Sequence, residues 1–448
     1  MPLGTLLAFG VPASGIAFYI LFIQFYFLKF ATDVLLIAPA AIGLLFGAGR
    51  IWDAVSDPLV GYWSDRTRTR IGRRRPWMFA ALPLLAVTFV MVWSPPAGLG
   101  SGALVAWSAV GLVGFYTAFT IYSVPHLSLG AELSDDHHER SRIFAVQRMA
   151  FTLGMMLAFA GIQYVSNAQD ERATASGFAV LVAVGVTLLL LLPPAVLREP
   201  ARHQGRGATS AFGALRDVLR NPHARILLSV WFIDSLGGGV LGVLAPFVTE
   251  YILGRPDLIG VIPAFFVFAG VAAIPVWVYL SRRFGKRNVW IVGMLGTSGF
   301  FGATFFVGEG DLVLLAGLLV GAGASMGCGG VIGQSMLADV VDYDEYTSGE
   351  RKEGSYYAAW GFALKLAMGL VTMGAGTALQ LAGFQPNVEQ TETAKLALSG
   401  IFAGVPFFAF LLGALLFRRF RLDQAEHGRI RAELLRRAEE PAAPPHAG

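Results

Sequence analysis

The chain has 448 residues, 55% of them hydrophobic and only 14% charged, with a formal net charge of +4. That leaves too little polar surface for a soluble chain of this length, so most of it must face lipid or other buried helices. The 54 Gly and 34 Phe suit helices packed closely in a bilayer, and a lone cysteine, Cys328, excludes an intrachain disulfide.

Apolar runs of about 20 residues mark membrane-crossing helices. The first, 6–30, has neither a basic leader nor a small-residue cleavage pattern before it, and reads as a retained helix. The others fall at 40–63, 77–95, 102–125, 142–165, 175–196, 224–252, 258–281, 289–308, 311–337, 355–383 and 397–418. Short alternating segments, the mark of a barrel, are lacking, so the expectation is an all-α integral membrane protein of twelve helices.

The second run holds Arg50-Ile51-Trp52-Asp53-Ala54-Val55-Ser56-Asp57-Pro58. Ionisable groups at that depth cost roughly 3 to over 10 kcal/mol and are functional candidates by default. Asp53 and Asp57, four residues apart, share a helix face, with Ser56 beside them. Two such carboxylates repel unless a cation or a proton sits between them. A salt bridge to Arg50 or Lys365 that merely fixes packing is the competing reading. Arg148 in the fifth run and Lys365 in the eleventh are further intramembrane charges. Lys365 needs an anionic partner, for which Asp53 and Asp57 are the candidates, while Arg148 either snorkels to the surface or meets an acid in a cavity.

Basic residues segregate sharply. Arg66, Arg68, Arg70, Arg73, Arg74 and Arg75 follow the second run, and comparable clusters follow the fourth, sixth, eighth, tenth and twelfth. In all, 27 of the 34 Lys and Arg lie on one side, against Lys29, Arg172, Arg255 and Lys395 on the other. The arginine-rich side, carrying both termini, is therefore expected to be cytoplasmic, in a bacterial inner membrane. The longest polar interruption divides six helices (1–196) from six (224–418), with a central loop at 197–223 and a tail at 419–448. The tail reads as a short basic amphipathic helix with a disordered end.

A basic, glycine-bearing turn recurs in each half, at Gly72-Arg73-Arg74-Arg75 and at Arg282-Arg283-Phe284-Gly285-Lys286-Arg287. Two six-helix halves related in this way point to a major facilitator fold with its solute site between the halves. Asp65, Arg66 and Arg73 in one half and Asp339 and Asp342 in the other would then meet as a cytoplasmic gate. Plain topological charge and a solvated loop are the alternatives. Aromatic residues such as Tyr116, Tyr122, Tyr356 and Trp360 are candidates to line the cavity, with packing or lipid contact the stronger reading for any one of them.

Three segments resemble the glycoside–pentoside–hexuronide:cation symporter family. They are Gly49 to Pro58, Tyr122-Ser123-Val124-Pro125 with Arg148 beyond it, and Ala338-Asp339-Val340-Val341-Asp342-Tyr343 with Lys365 downstream. The resemblance implies cation-coupled symport, with Asp53 and Asp57 binding Na⁺, Li⁺ or H⁺, Thr120 nearby and Lys365 close to the site. Ser56 replaces an Asn found in the melibiose permeases. Their sugar-holding carboxylates and tryptophans are matched by Ala17, Ser123, Leu127 and Gly330, which leaves a roomier, less polar pocket. Sodium-coupled lysolipid transporters share the same helix-2 and helix-11 features, so an amphiphile stays open beside a sugar or glycoside.

A channel would need more pore-lining polar residues, and an enzyme a catalytic cluster. The His residues show no metal spacing, and neither catalytic residues nor a cofactor are expected. The expected partners are a small solute, a monovalent cation and membrane lipid, without nucleic acid, for a chain acting as a monomer. An uncoupled uniporter or a solute sensor is also compatible with the sequence.

Overall fold

The computed structural model describes residues 1–134, 137–197, 199, 218–349, 352–422 and 424–439. Arg198, Arg202, Arg206, Arg216 and Arg351, most of the central loop and the Pro- and Ala-rich chain end lie outside the described residues.

Among the described residues, twelve long helices follow one another. The first half comprises α1 (Leu3–Val34), α2 (Pro39–Arg66), α3 (Arg75–Trp93), α4 (Ser101–Glu132), α5 (His137–Ser166) and α6 (Glu171–Val196). The second comprises α7 (Pro222–Ile252), α8 (Val261–Phe284), α9 (Lys286–Phe306), α10 (Leu312–Ser348), α11 (Glu353–Leu381) and α12 (Glu392–Phe417), with α13 (Gln424–Glu439) in the tail. Eleven are long and apolar enough to cross a membrane. The exception is α2, whose 28 residues include Arg50, Asp53, Asp57, Asp65 and Arg66. The helix with the poorest claim to lipid is thus the one that carries the candidate site.

Local chemistry sets the helix ends. Asn221 Oδ1 caps α7 by accepting from His223 N and Ala224 N, and Thr391 Oγ1 caps α12 by accepting from Ala394 N. At the start of α3 the Glu199 carboxylate accepts from the backbone N–H groups of Arg73, Arg74 and Arg75 at 2.8–2.9 Å. An anion there meets the positive end of the helix dipole. Gly72, at φ +117°, makes room for it: a Cβ would lie 2.4 Å from Glu199 Oε1.

The internal repeat is structural as well as sequential. Both α1 and α7 end in a five-residue π turn (Phe30–Val34 and Val248–Ile252), each followed by a residue with positive φ, Leu36 or Gly254. The turns after α2 and α8 each contain a positive-φ glycine, Gly72 and Gly285. Beside them, Arg73 and Arg74 pair with Glu132 at the end of α4, and Lys286 pairs with Asp339 toward the end of α10.

The halves are in contact along α2 and α11, where glycines bring backbone onto backbone. A Cβ at Gly376 would lie 2.3 Å from Pro39 O, and one at Gly43 2.8 Å from Thr372 O. At the end away from the arginines, Gln380 Oε1 accepts from Ala40 N and Gln163 Oε1 from Gly260 N, again across the halves. Toward the arginine-rich end they part. Phe159 and Gln163 on α5 meet α8 at Gly260. Arg148 lies on that same face of α5, about 16 Å along the axis, and is exposed. The hydrogen bonds and ion pairs given between the halves lie near the midpoint of α2 and at the end opposite the arginine-rich one, so the cleft between the halves is read as open at the arginine-rich end.

The tail helix does not float free. Ile430 is buried, and His427 Nε2 stands 3.1 Å from Asp342 and 3.7 Å from Asp339 on α10.

Candidate functional site

Near the midpoint of α2, Asp53 and Asp57 point the same way, toward α4 and α11. Lys365 Nζ on α11 lies 2.8 Å from Asp53 Oδ2 and 2.6 Å from Asp57 Oδ2. Thr120 Oγ1 on α4 lies 2.8 Å from Asp53 Oδ1 and 3.0 Å from Asp57 Oδ1. Ser56 Oγ completes the group, 3.2 Å from Thr120 Oγ1. Its own bond to Asp53 O, at 3.1 Å, uses a carbonyl one turn back and sits beside the helix-internal Pro58. The five residues span both halves of the protein.

Exposure is graded across the cluster. The Asp53 side chain is 1% exposed, that of Lys365 21% and that of Asp57 33%. The inner carboxylate is dry while the outer one and the ammonium are open to the cleft. Oxygens from two carboxylates and two hydroxyls converge in a set suited to a hard monovalent cation or a proton. Among the described residues no group of three or more His, Cys, Asp or Glu is placed to hold a metal ion.

Arg50 stands apart from these ion pairs. Its guanidinium donates to Gln24 Oε1 at 2.5 Å and stacks over Tyr116, 5.0 Å from the ring centroid, and over Phe46 at 5.7 Å. Gln24 also approaches Met368 Sδ on α11 at 3.1 Å. Of the two cations in reach of the aspartates by sequence, Lys365 is the one that pairs with them. Gln24 is not legible in the sequence, because a lone polar residue in an aromatic run carries no partner in its spacing.

Several expectations need correction. Ala17 is completely buried and lines no cavity. Tyr356 is likewise buried, its hydroxyl accepting from Asn221 Nδ2 at 2.9 Å beside the start of α7, so it supports packing at the arginine-rich end. Leu127 is exposed, Ser123 is half-buried, and Gly330 has open space where a side chain would project, so these three remain compatible with a cavity wall. Arg148 makes no ion pair among the described residues; its guanidinium lies over Phe151, 5.7 Å from the ring centroid.

The expected gate is also rearranged. Asp65 pairs with Arg73 and Arg74, which share Glu132, all within the first half. Asp339 pairs with Lys286 and His427, within the second half and its tail. Arg66 folds back over Tyr62 at 3.5 Å. Among the described residues, Asp65, Arg73 and Asp339 thus take partners from their own half or its tail.

Two six-helix halves around a central charged cluster have clear counterparts among known proteins. The chain belongs to the MFS/sugar transport protein family. The profile of that family matches residues 8–424. Relatives of this MFS chain include an isoprimeverose transporter of Lactiplantibacillus pentosus, 27% identical over 90% of this chain and 85% of the relative. The sodium-dependent lysophosphatidylcholine symporter 1 of Mus musculus is 26% identical over 90% and 82%. Among solved structures, the inward-open xylose transporter XylE from E. coli superposes with a TM-score of 0.65, at 16% identity over 96% and 98% of the two chains. A bacterial homologue of the lysosomal transporter Spinster gives 0.67 at 15% identity over 98% of each. The fold is thus that of a major facilitator, a multi-pass membrane transporter and not an enzyme.

Proposed function

We propose that this chain is a cation-coupled symporter for a sugar, glycoside or related small solute, driven by Na⁺ or H⁺ bound at Asp53 and Asp57. The observation that carries the reading is the Lys365 ammonium lying between the two carboxylates. Two carboxylates against one ammonium leave a formal single negative charge, which one monovalent cation or proton neutralises. Cation entry through the exposed Asp57 edge frees Lys365 from the pair, and Thr120 and Ser56 supply neutral oxygens. Lys365 belongs to the second half and the carboxylates to the first, so cation binding alters what holds α2 to α11. By linkage, a solute that favours the cation-bound arrangement raises cation affinity by the factor that the cation raises its own.

The arginine-rich end is assigned to the cytoplasm of a bacterial cell by the distribution of basic residues, so the open cleft faces inward. The protein works as a monomer among membrane lipids and needs no cofactor beyond the coupling ion. A second reading, a lysolipid-like amphiphile as solute, is favoured by the aliphatic Leu127 and the empty space at Gly330.

The deciding experiment is thermal stability of the purified protein with Na⁺, Li⁺ or a changed pH, alone and with panels of glycosides and lysolipids. Ion-dependent stabilisation deepened by one solute class supports symport and names the class. Solute binding with no ion response would replace this reading with a uniporter or a sensor.

A further inference from the structure

At the end of the molecule opposite the arginine-rich one, the repeat-related π turns of α1 and α7 face each other. Each widens its helix by one residue per turn and swings polar side chains out of the regular helical face, a device common at functional sites. The α1 turn carries Asp33; the α7 turn carries Glu250 and Tyr251. Lys29, one turn before Asp33, places its Nζ 3.1 Å from Asp33 Oδ2 and 2.7 Å from Glu250 Oε2 in the other half. Tyr251 donates its hydroxyl proton to Asp33 Oδ2 at 2.8 Å. Asn387, in the turn after α11, donates from Nδ2 to Asp33 O at 2.7 Å and from its backbone N to the Tyr251 hydroxyl at 3.1 Å. It does so from φ +60°, a left-handed conformation that Asn tolerates better than most residues.

Lys29 and Asp33 are only 4% and 5% exposed. Glu250, Tyr251 and Asn387 also line a cavity of about 870 Å³ at this end of the second half. The cluster is therefore dry toward the first half and wet toward the second. If the halves separated here, Lys29 would lose Glu250 and Asp33 would lose Tyr251 and Asn387. The wet side then lets water replace those partners, so the contact is built to part as well as to hold.

We propose that Lys29, Asp33, Glu250 and Tyr251 form the latch that holds this end of the cleft shut while the arginine-rich end is open. The latch presupposes that the two halves rock, but it requires neither the ion nor the solute assigned above. Removing Lys29 leaves Asp33 and Glu250 facing each other without a cation, which favours separation.

The test is a spin-label distance between Leu36→Cys and Val388→Cys, two exposed positions beside the latch on opposite halves, in a Cys328→Ser background without ion or solute. The parent should give mainly a short distance. Lys29→Met should raise the long-distance fraction relative to the short at least tenfold, and the exchange Lys29→Glu with Glu250→Lys should return it toward the parent. Tyr251→Phe, which removes the two hydrogen bonds of the hydroxyl and keeps the ring, should shift the ratio the same way by a smaller factor and covers the case in which Lys29→Met does not fold. An unchanged short distance in Lys29→Met and Tyr251→Phe would overturn the latch. So would an exchange variant as open as Lys29→Met. Loss of ion-driven uptake in Asp57 variants is read separately, so failure of the coupling site and failure of the latch are distinguishable.

Discussion

Lys365 Nζ and Asp57 Oδ2 stand 2.6 Å apart although 308 residues separate them in the chain. The contact joins the second half to the first at the most exposed edge of the charged cluster, and the same nitrogen reaches Asp53 at 2.8 Å. In the proposed symport, an ion pair in this position is a switchable contact between the two halves. Its energy depends on whether another cation occupies the carboxylates.

Asp57→Asn keeps the shape and the oxygen facing Thr120 but removes the charge. Cation-driven uptake is expected to fall to background while the protein still inserts. Uptake in vesicles with and without an ion gradient, alongside detergent-stable yield, checks both halves of that statement. Normal gradient-driven uptake would remove Asp57 from the coupling site.

Lys365→Met acts in the opposite sense on the apo protein. It leaves the buried Asp53 and the half-buried Asp57 without their counter-ion, and breaking the buried Asp53 pair costs about 3 kcal/mol or more. The melting temperature without coupling ion should drop, and the added ion should recover more stability than it gives the parent, since it no longer competes with the ammonium. Melting curves over an ion titration at fixed ionic strength test this. An equal ion response in parent and variant would show that the ammonium does not compete.

Thr120→Val preserves volume while removing the hydroxyl that faces both carboxylates. A hydrogen bond to a charged group contributes about 1.5–3 kcal/mol, so ion affinity should weaken by about tenfold or more. Ser56→Ala, whose hydroxyl reaches only Thr120 and a backbone carbonyl, should cost less. A larger loss from Ser56→Ala, measured in the same ion titration, would reverse the order of the two ligands.

Packing between helices is tested away from the site. A Cβ at Gly154 would lie 2.0 Å from Ser14 O, between α5 and α1, whereas Gly177 on α6 has nothing within 4 Å. Gly154→Val should therefore destabilise by about 1–3 kcal/mol, and Gly177→Ala should change stability by no more than about 1 kcal/mol. Thermal melts of the two variants side by side decide it.

Much of this architecture is legible in the amino-acid sequence. Twelve spans, their order and the segregation of arginine can be read there because lipid imposes long apolar runs on the chain itself. The pairing of Asp53 with Asp57 is equally legible, since four residues is about one helical turn. Lys365 is recognisable as a charge in search of a partner. The family resemblance adds Thr120, which spacing alone does not single out.

Contacts between distant segments are another matter. Ala17 and Tyr356 look available for the cavity, yet which face of α1 or α11 is buried depends on neighbours that no local period specifies. The gate charges look complementary across the halves, but which partners they take depends on which end of the cleft is open, and a sequence has no conformation. Lys29 is informative only as a topological count until the π turns of α1 and α7 set it beside Glu250. Local periodicity and the demands of the bilayer determined the helices and the intramembrane carboxylate pair. Long-range packing decided the rest, because an ion pair or a hydrogen bond forms only between groups that the folded chain brings within about 3 Å.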